Sequence, residues 1–399
     1  MAQACPAEFE LVDQRNASRT RTSVSSDRIT ALPASFIRGG TSKGVFLRRE
    51  DLPRDVADWK PILLGILGSP DPQYGRQLDG MGGGVSSLSK VCVVGAASEE
   101  HRKQGIDVGI RDDAIDVSGN CGNLSSMIGP YALDEGMIDN LKGKQKRTVR
   151  AFNTNTQKII DATFPVTEDG LPKLNIPQTS VAGVPRTASE ILLDFVDPAG
   201  ARTGKLLPTG SPIDRPGDSY DSSPLVAISC VDATNPTVFV RAADLRSQIR
   251  LQGYLCGEQP DLDIGTEVLE ALRQNGARKM GLDPQAQAQP KIAILSAPAE
   301  RDDADVVVHA LSMGVLHKAV PMTLGLCLGV AANAEGTIAH EIVQEARAGR
   351  AKRARTDLVK IRHPGGTVDV GAEFGEDGKV KSARVVRTGR IMMKGTVYW

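Results

Sequence analysis

The sequence predicts an α/β (α+β) protein made of two similar halves, and three observations support this class. Short apolar strands alternate with short helices along the chain after Ala34. A segment of the first half recurs about 200 positions later. The 399 residues, 40% of them hydrophobic, are enough to bury two cores. We therefore expect an extended or disordered segment over 1–30, an N-terminal domain over 31–200, a linker loop over 201–224 and a C-terminal domain over 225–399. We leave open whether the last strand returns to the first domain.

The first half is expected to begin with a hairpin, because two short apolar runs flank the turn Gly39–Gly44. A Gly/Ser-rich loop then leads into the apolar strand Val91–Val94. The remaining elements expected in this half are helices over 59–67 and from Asn120 through Tyr131, and strands over 106–110, 115–117, 147–153 and 158–164.

The second half repeats this style after a Gly/Pro-rich loop over 200–224. The expected elements are strands over 225–229, 238–240, 291–295 and 305–309, helices over 265–275, from near Pro321 and over 337–350, and two closing strands near Val368 and over 382–387.

An internal repeat links the halves. At an offset of 200, the segments that begin at Leu124 and Leu324 are identical at six of fifteen positions, where chance gives about one. In each segment a turn leads into a helix of small residues that ends in Glu-Gly. Small residues suit a helix that a sheet wraps closely. Two such halves facing each other form a cleft, and binding sites often lie in such clefts.

Composition and charge exclude several classes of protein. Lys and Arg total 48, as do Asp and Glu, and only 4% of residues are aromatic, which argues against a nucleic-acid partner. The six cysteines form no C-x-x-C pair and lie beside no histidine at ligand spacing, so we expect reduced thiols and no metal site. The uncharged run from Ala319 to Ala334 is too short to span a membrane. A homo-oligomer is left open.

The N-terminal residues bear on location. Glu8 and Glu10 stand where a secretory signal would need a basic region. Four arginines between residues 15 and 28 lie in a Ser/Thr-rich stretch like that of a transit peptide, although the acidic residues before it argue against one. A cytoplasmic protein is expected, with a mitochondrial location as the alternative.

The first candidate site is the segment Ser118-Gly119-Asn120-Cys121-Gly122-Asn123, at the expected start of a helix. A thiol in the first helical turn lies near unpaired N–H groups and the positive end of the dipole. These favour the thiolate and make Cys121 a usable acid or base. The neighbouring glycines let a carboxylate approach the same amides. Cys92 and Cys327 lie in apolar runs instead and are expected to be buried thiols.

The second candidate is the loop from Asp79 to Lys90. Its glycines expose backbone amides, and Ser86, Ser87 and Ser89 add hydroxyls, a combination that suits an anion. Lys90 lies where the loop becomes a strand. If partly desolvated it could act as a base, and if charged it could stabilise an enolate. A solvated surface lysine is the alternative. The loop matches neither a P-loop nor a dinucleotide-binding fingerprint.

Two further segments are weaker candidates. The turn Arg38-Gly39-Gly40-Thr41-Ser42-Lys43-Gly44 is cationic and rich in donors, so it can hold a carboxylate, although a plain hairpin turn could have this composition. In the second half, Ser312-Met313-Gly314 and His317 precede the helix near Pro321, where the approach to Cys121 stands in the first half. His317 either binds an anion or forms a hydrogen bond in the core.

Six segments stand in a recognisable order along the chain. They are Arg38–Gly44, Asp79–Lys90, Gly119–Asn123, Thr203–Gly210, Asp232–Pro236 and Ser312–Ala319. Together they resemble the PrpF family of 2-methylaconitate cis-trans isomerases, which includes 4-oxalomesaconate tautomerases, methylitaconate isomerases and aconitate delta-isomerases. The resemblance runs from about Ser35 to Tyr398. It does not single out a substrate.

The resemblance implies a diaminopimelate-epimerase-like fold, in which two similar α/β domains each wrap a sheet around a central helix, with the site between them. It also implies a small polycarboxylate substrate, no cofactor and no metal, and catalysis by Lys90 and Cys121. The candidate substrate-binding residues are Arg38, Thr41, Ser42, Lys43, Gly83, Gly84, Ser86, Ser87, Ser89, Asn120, Gly122, Asn123, Asn235, Ser312, Met313, His317 and Thr323.

The repeat also bears on the reaction. An epimerase needs an acid/base group on each face of a stereocentre, but Pro321 stands at the position that corresponds to Cys121. An allylic shift needs one group to remove a proton next to a double bond and a proton to return two carbons away. Lys90 and Cys121 could serve that in either assignment. We therefore expect a cofactor-independent isomerase of unsaturated di- or tricarboxylates. A racemase or epimerase and a non-catalytic carboxylate-binding accessory protein are the alternatives.

Overall fold

The computed structural model describes residues 30–85, 87–112, 121–154, 157–215, 226–312, 314–348 and 358–399. The strands in this part of the chain are β1 (Ala31–Gly39), β2 (Ser42–Arg48), β3 (Val91–Ala96), β4 (Val108–Asp112), β5 (Lys146–Asn153), β6 (Lys158–Pro165), β7 (Ile191–Val196), β8 (Ile228–Ala233), β9 (Asn235–Arg241), β10 (Lys291–Ser296), β11 (Val306–Ser312), β12 (Val315–Leu316), β13 (Leu358–His363), β14 (Gly366–Phe374), β15 (Val380–Arg387) and β16 (Gly389–Tyr398). The α-helices are α1 (Trp59–Leu67), α2 (Glu99–Lys103), α3 (Gly122–Ser125), α4 (Ile128–Asp134), α5 (Ala242–Leu245), α6 (Leu251–Cys256), α7 (Asp261–Lys279), α8 (Met322–Ala331) and α9 (Ile338–Arg347).

The strands form one continuous hydrogen-bonded path. Its order is β16-β1-β2-β3-β4-β5-β6-β7-β15-β14-β13-β11-β10-β9-β8, with β12 paired to β11. The run from β1 to β7 pairs as antiparallel, parallel, antiparallel, parallel, antiparallel and antiparallel. The run β8-β9-β10-β11-β13-β14-β15 repeats that sequence of orientations. The two halves are therefore built on one plan, and the predicted α/β fold class is confirmed.

Each half wraps its sheet around short central helices. In the first half α3 contacts β1 and β2, and α4 contacts β5 and β6. In the second half α8 contacts β8, β9, β13, β14 and β15, and every residue from Leu324 to Ala331 is buried. A helix that is apolar on all sides must be enclosed by protein. The central helices of the resemblance are thus present in both halves.

In the repeat, α3 and α4 of the first half correspond to α8 of the second half. Pro321 precedes α8 as Cys121 precedes α3. A Cβ at Gly129 of α4 would lie 2.8 Å from Phe164 Cε1, and a Cβ at Gly329 of α8 would lie 2.8 Å from the Gly371 amide nitrogen. Both glycines therefore mark the point where a central helix passes closest to its sheet, which is why small residues recur there.

The hydrophobic core joins the halves. One cluster of buried side chains contains Ile37 and Phe46 from the first half together with Leu324 and Val370 from the second. The halves also share hydrogen bonds, because β7 pairs with β15 and β1 pairs with β16. The shared core and strand pairing therefore fix the two halves relative to each other.

The structure differs from the element predictions in two respects. The expected single helix through Tyr131 is divided into α3 and α4, and the division precedes Pro130, which cannot donate a backbone hydrogen bond and is tolerated in a first turn. Four strands were not predicted, namely β7, β12, β13 and β16, nor were the short helices α2, α5 and α6. The strand expected over 115–117 lies outside the described residues. Charged residues interrupt the apolar runs of β7, β13 and β16, and β12 is only two residues long.

The two close-approach glycines should be sensitive to a single methyl group. We expect Gly129→Ala and Gly329→Ala each to lower the free energy of unfolding by about 1–3 kcal/mol, because the methyl overpacks a helix against its sheet. Gly329→Ala should cost more, since its Cβ meets backbone of Gly371 whereas Gly129 meets side chains. Gly395→Ala is the control, because no described atom beyond its chain neighbours lies within 4 Å of its Cβ position. Denaturant unfolding measures the differences, and equal stability of all three variants would contradict this packing.

Candidate active site

Cys121 lies at the position before the first residue of α3 and is half-buried. Its carbonyl oxygen accepts hydrogen bonds from the Ser125 amide at 3.0 Å and from Ser125 Oγ at 3.2 Å. The helix is thereby anchored on the backbone of Cys121, and the thiol is placed at the first turn. The predicted location of the thiol at a helix start agrees with the structure.

The starts of α3 and α8 face each other across the two halves. Gly122 lies directly against the Met322 side chain, and a Cβ at Gly122 would overlap the Met322 sulfur. Only glycine leaves room for this approach. The two equivalent helix starts therefore converge at one place, with Cys121 on one side and Pro321 on the other.

Asn123 connects three elements at this place. Its Nδ2 donates to Thr41 Oγ1 at 3.1 Å and to Ser42 Oγ at 3.3 Å, in the turn between β1 and β2. Its Oδ1 accepts from Arg387 Nε at 3.0 Å, at the end of β15. The predicted residues Thr41, Ser42 and Asn123 are thus brought together next to Cys121, and Arg387 joins them from the far end of the chain.

The Gly-rich loop runs along the same turn. The Lys43 amide donates to the Ser87 carbonyl at 3.0 Å, and the Val45 amide donates to the Lys90 carbonyl at 2.9 Å. A Cβ at Gly44 would lie 2.5 Å from the Lys90 carbonyl oxygen and 3.1 Å from Leu124 Cδ1. Gly44 therefore lies between the backbone of Lys90 and α3. Lys90 itself is half-buried.

The interior of this loop is held by the predicted residue Ser89 and by Gln77 and Asp71, which the sequence analysis did not single out. The Gly83 amide donates to Ser89 Oγ at 3.0 Å, and the Gly84 amide donates to Gln77 Oε1 at 2.9 Å. Ser89 Oγ itself lies 2.5 Å from Gln77 Oε1. Asp71 accepts from the amides of residues 74, 76 and 77, and these bonds lower the pKa of Asp71. In this conformation the amides of Gly83 and Gly84 therefore stabilise the loop rather than face a ligand.

The two cationic residues of the hairpin have internal partners. Arg38 Nη1 donates to the Gly40 carbonyl, the Thr388 carbonyl and Thr388 Oγ1 at 2.9, 3.1 and 3.2 Å. Burial, and secondarily Arg390, lower the pKa of Arg38. Lys43 Nζ lies 5.6 Å from the centre of the Phe36 ring. Arg38 therefore fastens the hairpin to the turn between β15 and β16.

The second half supplies a matching turn between β8 and β9. Thr234 has a φ of 63°, rare for a β-branched residue, and its Oγ1 donates to the Thr323 carbonyl at 2.8 Å. Asn235 follows it, and its Oδ1 is buried without a hydrogen-bond partner among the described residues. The turn thus holds the start of α8 as the β1–β2 turn holds α3. Backbone strain of this kind persists only where the surroundings enforce it.

Among the described residues, His317 forms no hydrogen bond with this cluster. It is exposed, and its amide donates to the Ala310 carbonyl at 2.9 Å. Partial desolvation, and secondarily Lys291, lower the pKa of its imidazole. Of the other predicted residues, Ser86, Asn120 and Met313 lie outside the described residues, and the side chain of Ser312 does as well.

Arg387 and His363 were missed by the sequence analysis. Arg387 is 7% exposed, and burial lowers its pKa to about 10, while the charge that Cys121 can carry acts in the opposite direction. His363 is 9% exposed, and burial followed by the charge of Arg387 lowers its pKa. His363 Nδ1 accepts from the Gly365 amide at 3.1 Å, so the neutral ring carries its proton on Nε2. The only sequence signal was an arginine that follows two valines in a predicted strand.

Cys121 is expected to react with iodoacetamide faster than exposed Cys256 at neutral pH, because the helix start and Arg387 favour its thiolate. Tricarballylate, a saturated tricarboxylate, should protect it. Cys230 and Cys327 should react last, since burial raises the pKa of both thiols. Mass mapping of a partially alkylated sample measures the order, and modification of Cys256 ahead of Cys121 would show that the site does not activate this thiol.

Among the residues that the structure describes, none of the helices combines the length and apolar character needed to cross a bilayer. The same ranges contain no group of three or more His, Cys, Asp or Glu side chains placed to hold a metal ion.

Known proteins share this architecture over nearly the whole chain. The chain is 34% identical to 3-methylitaconate isomerase of Eubacterium barkeri over 394 residues, which covers 92% of this chain and 97% of the relative. It is 35% identical to 2-methyl-aconitate isomerase of Shewanella oneidensis over 402 residues, covering 91% and 96% of the two chains. It is 31% identical to 4-oxalomesaconate tautomerase of Pseudomonas putida, covering 92% and 96%.

A solved structure agrees with these relatives. The crystal structure of methylitaconate-delta-isomerase superposes with a TM-score of 0.79 at 33% identity, covering 93% of this chain and 96% of the other. The named relatives are isomerases and a tautomerase, so the prediction of an isomerase is confirmed. The profile of the family described as PrpF protein matches residues 29–399, and the chain therefore belongs to the PrpF family.

Proposed function

We propose that this isomerase moves a carbon–carbon double bond by allylic proton transfer in a small unsaturated di- or tricarboxylate, without a cofactor. The observation that carries the proposal is the convergence of Cys121, Asn123 and the buried Arg387 at the start of α3. The backbone of Lys90 lies close by, with Gly44 between it and α3. The relatives' names refer to methylitaconate, methyl-aconitate and oxalomesaconate, which are substrates of this kind.

The chemistry requires two proton transfers. One group, Lys90 or Cys121, takes a proton from the carbon next to the double bond, and the electron pair of that C–H bond shifts toward the double bond. A substrate carboxylate spreads the negative charge, and nearby cations and helix-start amides stabilise it. The other group then donates a proton two carbons away. The net result is a moved double bond with no change in composition.

The structure bears on the two alternatives. A racemase needs acid/base groups on opposite faces, and the α8 start offers Pro321 and Met322 where the α3 start offers Cys121. An accessory carboxylate-binding protein would have no need of a thiol at a helix start beside a buried guanidinium. Both points favour proton transfer within one substrate.

The direct test incubates the protein in D₂O with cis-aconitate, 2-methylaconitate, methylitaconate and oxalomesaconate and follows each by proton NMR. We expect one of them to isomerise and to take up deuterium at the carbon that is protonated. The Lys90→Met and Cys121→Ser double variant is the control for spontaneous exchange. Binding of all four compounds without isomerisation would support the accessory-protein alternative instead.

The site should be sensitive to salt and insensitive to chelators. Since fixed cations and backbone amides hold a multiply charged ligand, the KM is expected to rise several-fold between about 10 mM and 300 mM NaCl. EDTA should leave turnover unchanged after dialysis. Steady-state kinetics measure both effects, and loss of activity with EDTA that zinc or magnesium restores would overturn the cofactor-free mechanism. A cytoplasmic location and a homo-oligomeric state stay predictions from the sequence.

A further inference from the structure

Arg387 has unused donors in a buried position. Its Nε donates to Asn123 Oδ1 at 3.0 Å and its Nη1 donates to the Val386 carbonyl at 2.9 Å. Within the described ranges Nη2 has no acceptor. A guanidinium carries five N–H donors in a fixed fork, so most of its capacity is unspent.

The charge of Arg387 is also uncompensated. In the same strand, Arg384 forms ion pairs with Asp194 at 2.8 Å and Glu373 at 2.7 Å. Arg387 forms an ion pair with none of the carboxylates that the structure describes. A buried charge without a partner is costly, and a protein usually retains one where an anion binds. The neighbouring groups that titrate include Cys121 and His363, together with Asp369 in the same cavity.

A cavity of about 240 Å³ opens onto this arginine. On one side lies the segment 178–187, between β6 and β7, which we call the strap; on the other lie β13, β14 and β15. The strap contributes the hydroxyls of Thr179, Ser180 and Thr187, and β14 contributes Thr367. Lys360 in the wall is paired with Asp303 at 2.6 Å, and the wall also contains the carboxylate of Asp369. Of the two cations in the described lining, Arg387 is the one without an ion-pair partner among the described residues.

The strap ties the cavity to the site at α3. A Cβ at Gly183 would lie 3.7 Å from Thr41 Cγ2, and a Cβ at Gly366 would lie 2.5 Å from Ala182 Cβ. The strap therefore touches the hairpin of the first half and the β13–β14 turn of the second. A molecule of liquid water takes about 30 Å³, so the cavity has room for part of a small polycarboxylate.

We propose that Arg387 binds one carboxylate of the substrate through Nη2 while its Nε holds Asn123 in place. The inference rests on the proposed function for the identity of the substrate, and it assigns one of its carboxylates to the strap cavity. A carboxylate there would satisfy the free donors, and an arginine–carboxylate pair is both strong and directional.

The first test measures tricarballylate binding by calorimetry. Arg387→Gln is expected to weaken binding by about 10- to 100-fold, as for a lost hydrogen bond to a charged group. Arg387→Lys should recover only part of the affinity, because an ammonium cannot hold Asn123 and the ligand together. Arg384→Gln, in the same strand, should bind like the wild type. Equal affinity of Arg387→Gln and the wild type would overturn the proposal.

The second test asks whether one carboxylate is involved. Glutarate lacks the central carboxylate of tricarballylate, and 2-methylsuccinate lacks a terminal one. In the wild type tricarballylate should bind more tightly than both. In Arg387→Gln its advantage over one of the two should disappear and its advantage over the other should persist. An unchanged advantage over both would contradict the assignment.

Since removal of a buried arginine can prevent folding, a crystal structure of the wild type with tricarballylate gives an independent answer. We expect a carboxylate oxygen within hydrogen-bond distance of Arg387 Nη2, and all three carboxylates bound elsewhere would overturn the proposal. The proposed function fails separately, if no unsaturated substrate isomerises although tricarballylate binds at Arg387.

Discussion

Replacement of Lys90 by methionine is expected to leave the fold intact and to reduce isomerisation at least about a hundredfold, the usual scale for a removed acid or base. The fold should survive because the structural contact of Lys90 is its carbonyl, which accepts from the Val45 amide at 2.9 Å and does not depend on the side chain. Methionine keeps the length of the apolar stem and removes the ammonium. The measurement is kcat and KM by proton NMR, together with thermal unfolding.

Lys60→Met is the matched control, because Lys60 is an exposed lysine of α1. It should have wild-type kinetics. Retention of most of the activity in Lys90→Met would remove Lys90 from the mechanism. A loss of activity accompanied by a large fall in the unfolding temperature would count as a structural effect and not as support.

Exchange with solvent can show which of Lys90 and Cys121 acts as the base and which acts as the acid. A variant that lacks the base cannot exchange the allylic proton of the substrate with D₂O. A variant that lacks only the acid can still exchange that proton, although it forms product slowly. Comparison of Lys90→Met with Cys121→Ser therefore shows which of the two residues removes the proton and which returns one.

The local architecture was largely accessible from the sequence. The repeat between Leu124 and Leu324 predicted two central helices of small residues, and Gly129 and Gly329 show the physical reason, since each faces its sheet too closely for a side chain. The hairpin and most strands followed from apolar runs. β16 was harder to predict, because Met392, Met393 and Lys394 follow one another and are all exposed, so neither alternation nor a continuous apolar run marks the strand.

The candidate site could be predicted only in part. Glycine and serine content indicated donors in the loop before Lys90, but a sequence does not show that Gln77 and Ser89 occupy the amides of Gly83 and Gly84. These bonds depend on how the loop folds back on itself. The composition of a loop gives the supply of donors, and its conformation decides which of them remain available.

Arg387 could not be found by local patterns, because its role depends on a contact across 264 positions. As the last residue of β15 it pairs with Ile191 of β7, the strand that joins the halves, and this pairing brings it to Asn123. Because Val385 and Val386 precede it, the sequence pattern there indicates only an ordinary buried strand. Only the fold shows that a cation ends the strand at the start of α3.

Replacement of Cys121 by serine is expected to reduce kcat at least about a hundredfold while tricarballylate still binds. Serine preserves the size of the side chain and the carbonyl that anchors Ser125, so α3 should form as before. A hydroxyl is a far weaker acid than a thiol near a helix start, and the proton that Cys121 carries would no longer transfer readily.

Cys256→Ser, at an exposed position, should behave as the wild type. Calorimetry with tricarballylate and kinetics by proton NMR separate binding from turnover. A Cys121→Ser enzyme with unchanged kcat would show that the thiol takes no part in proton transfer and that Lys90 performs both steps with solvent. Loss of binding together with kcat would instead show that the thiol helps to hold the carboxylate.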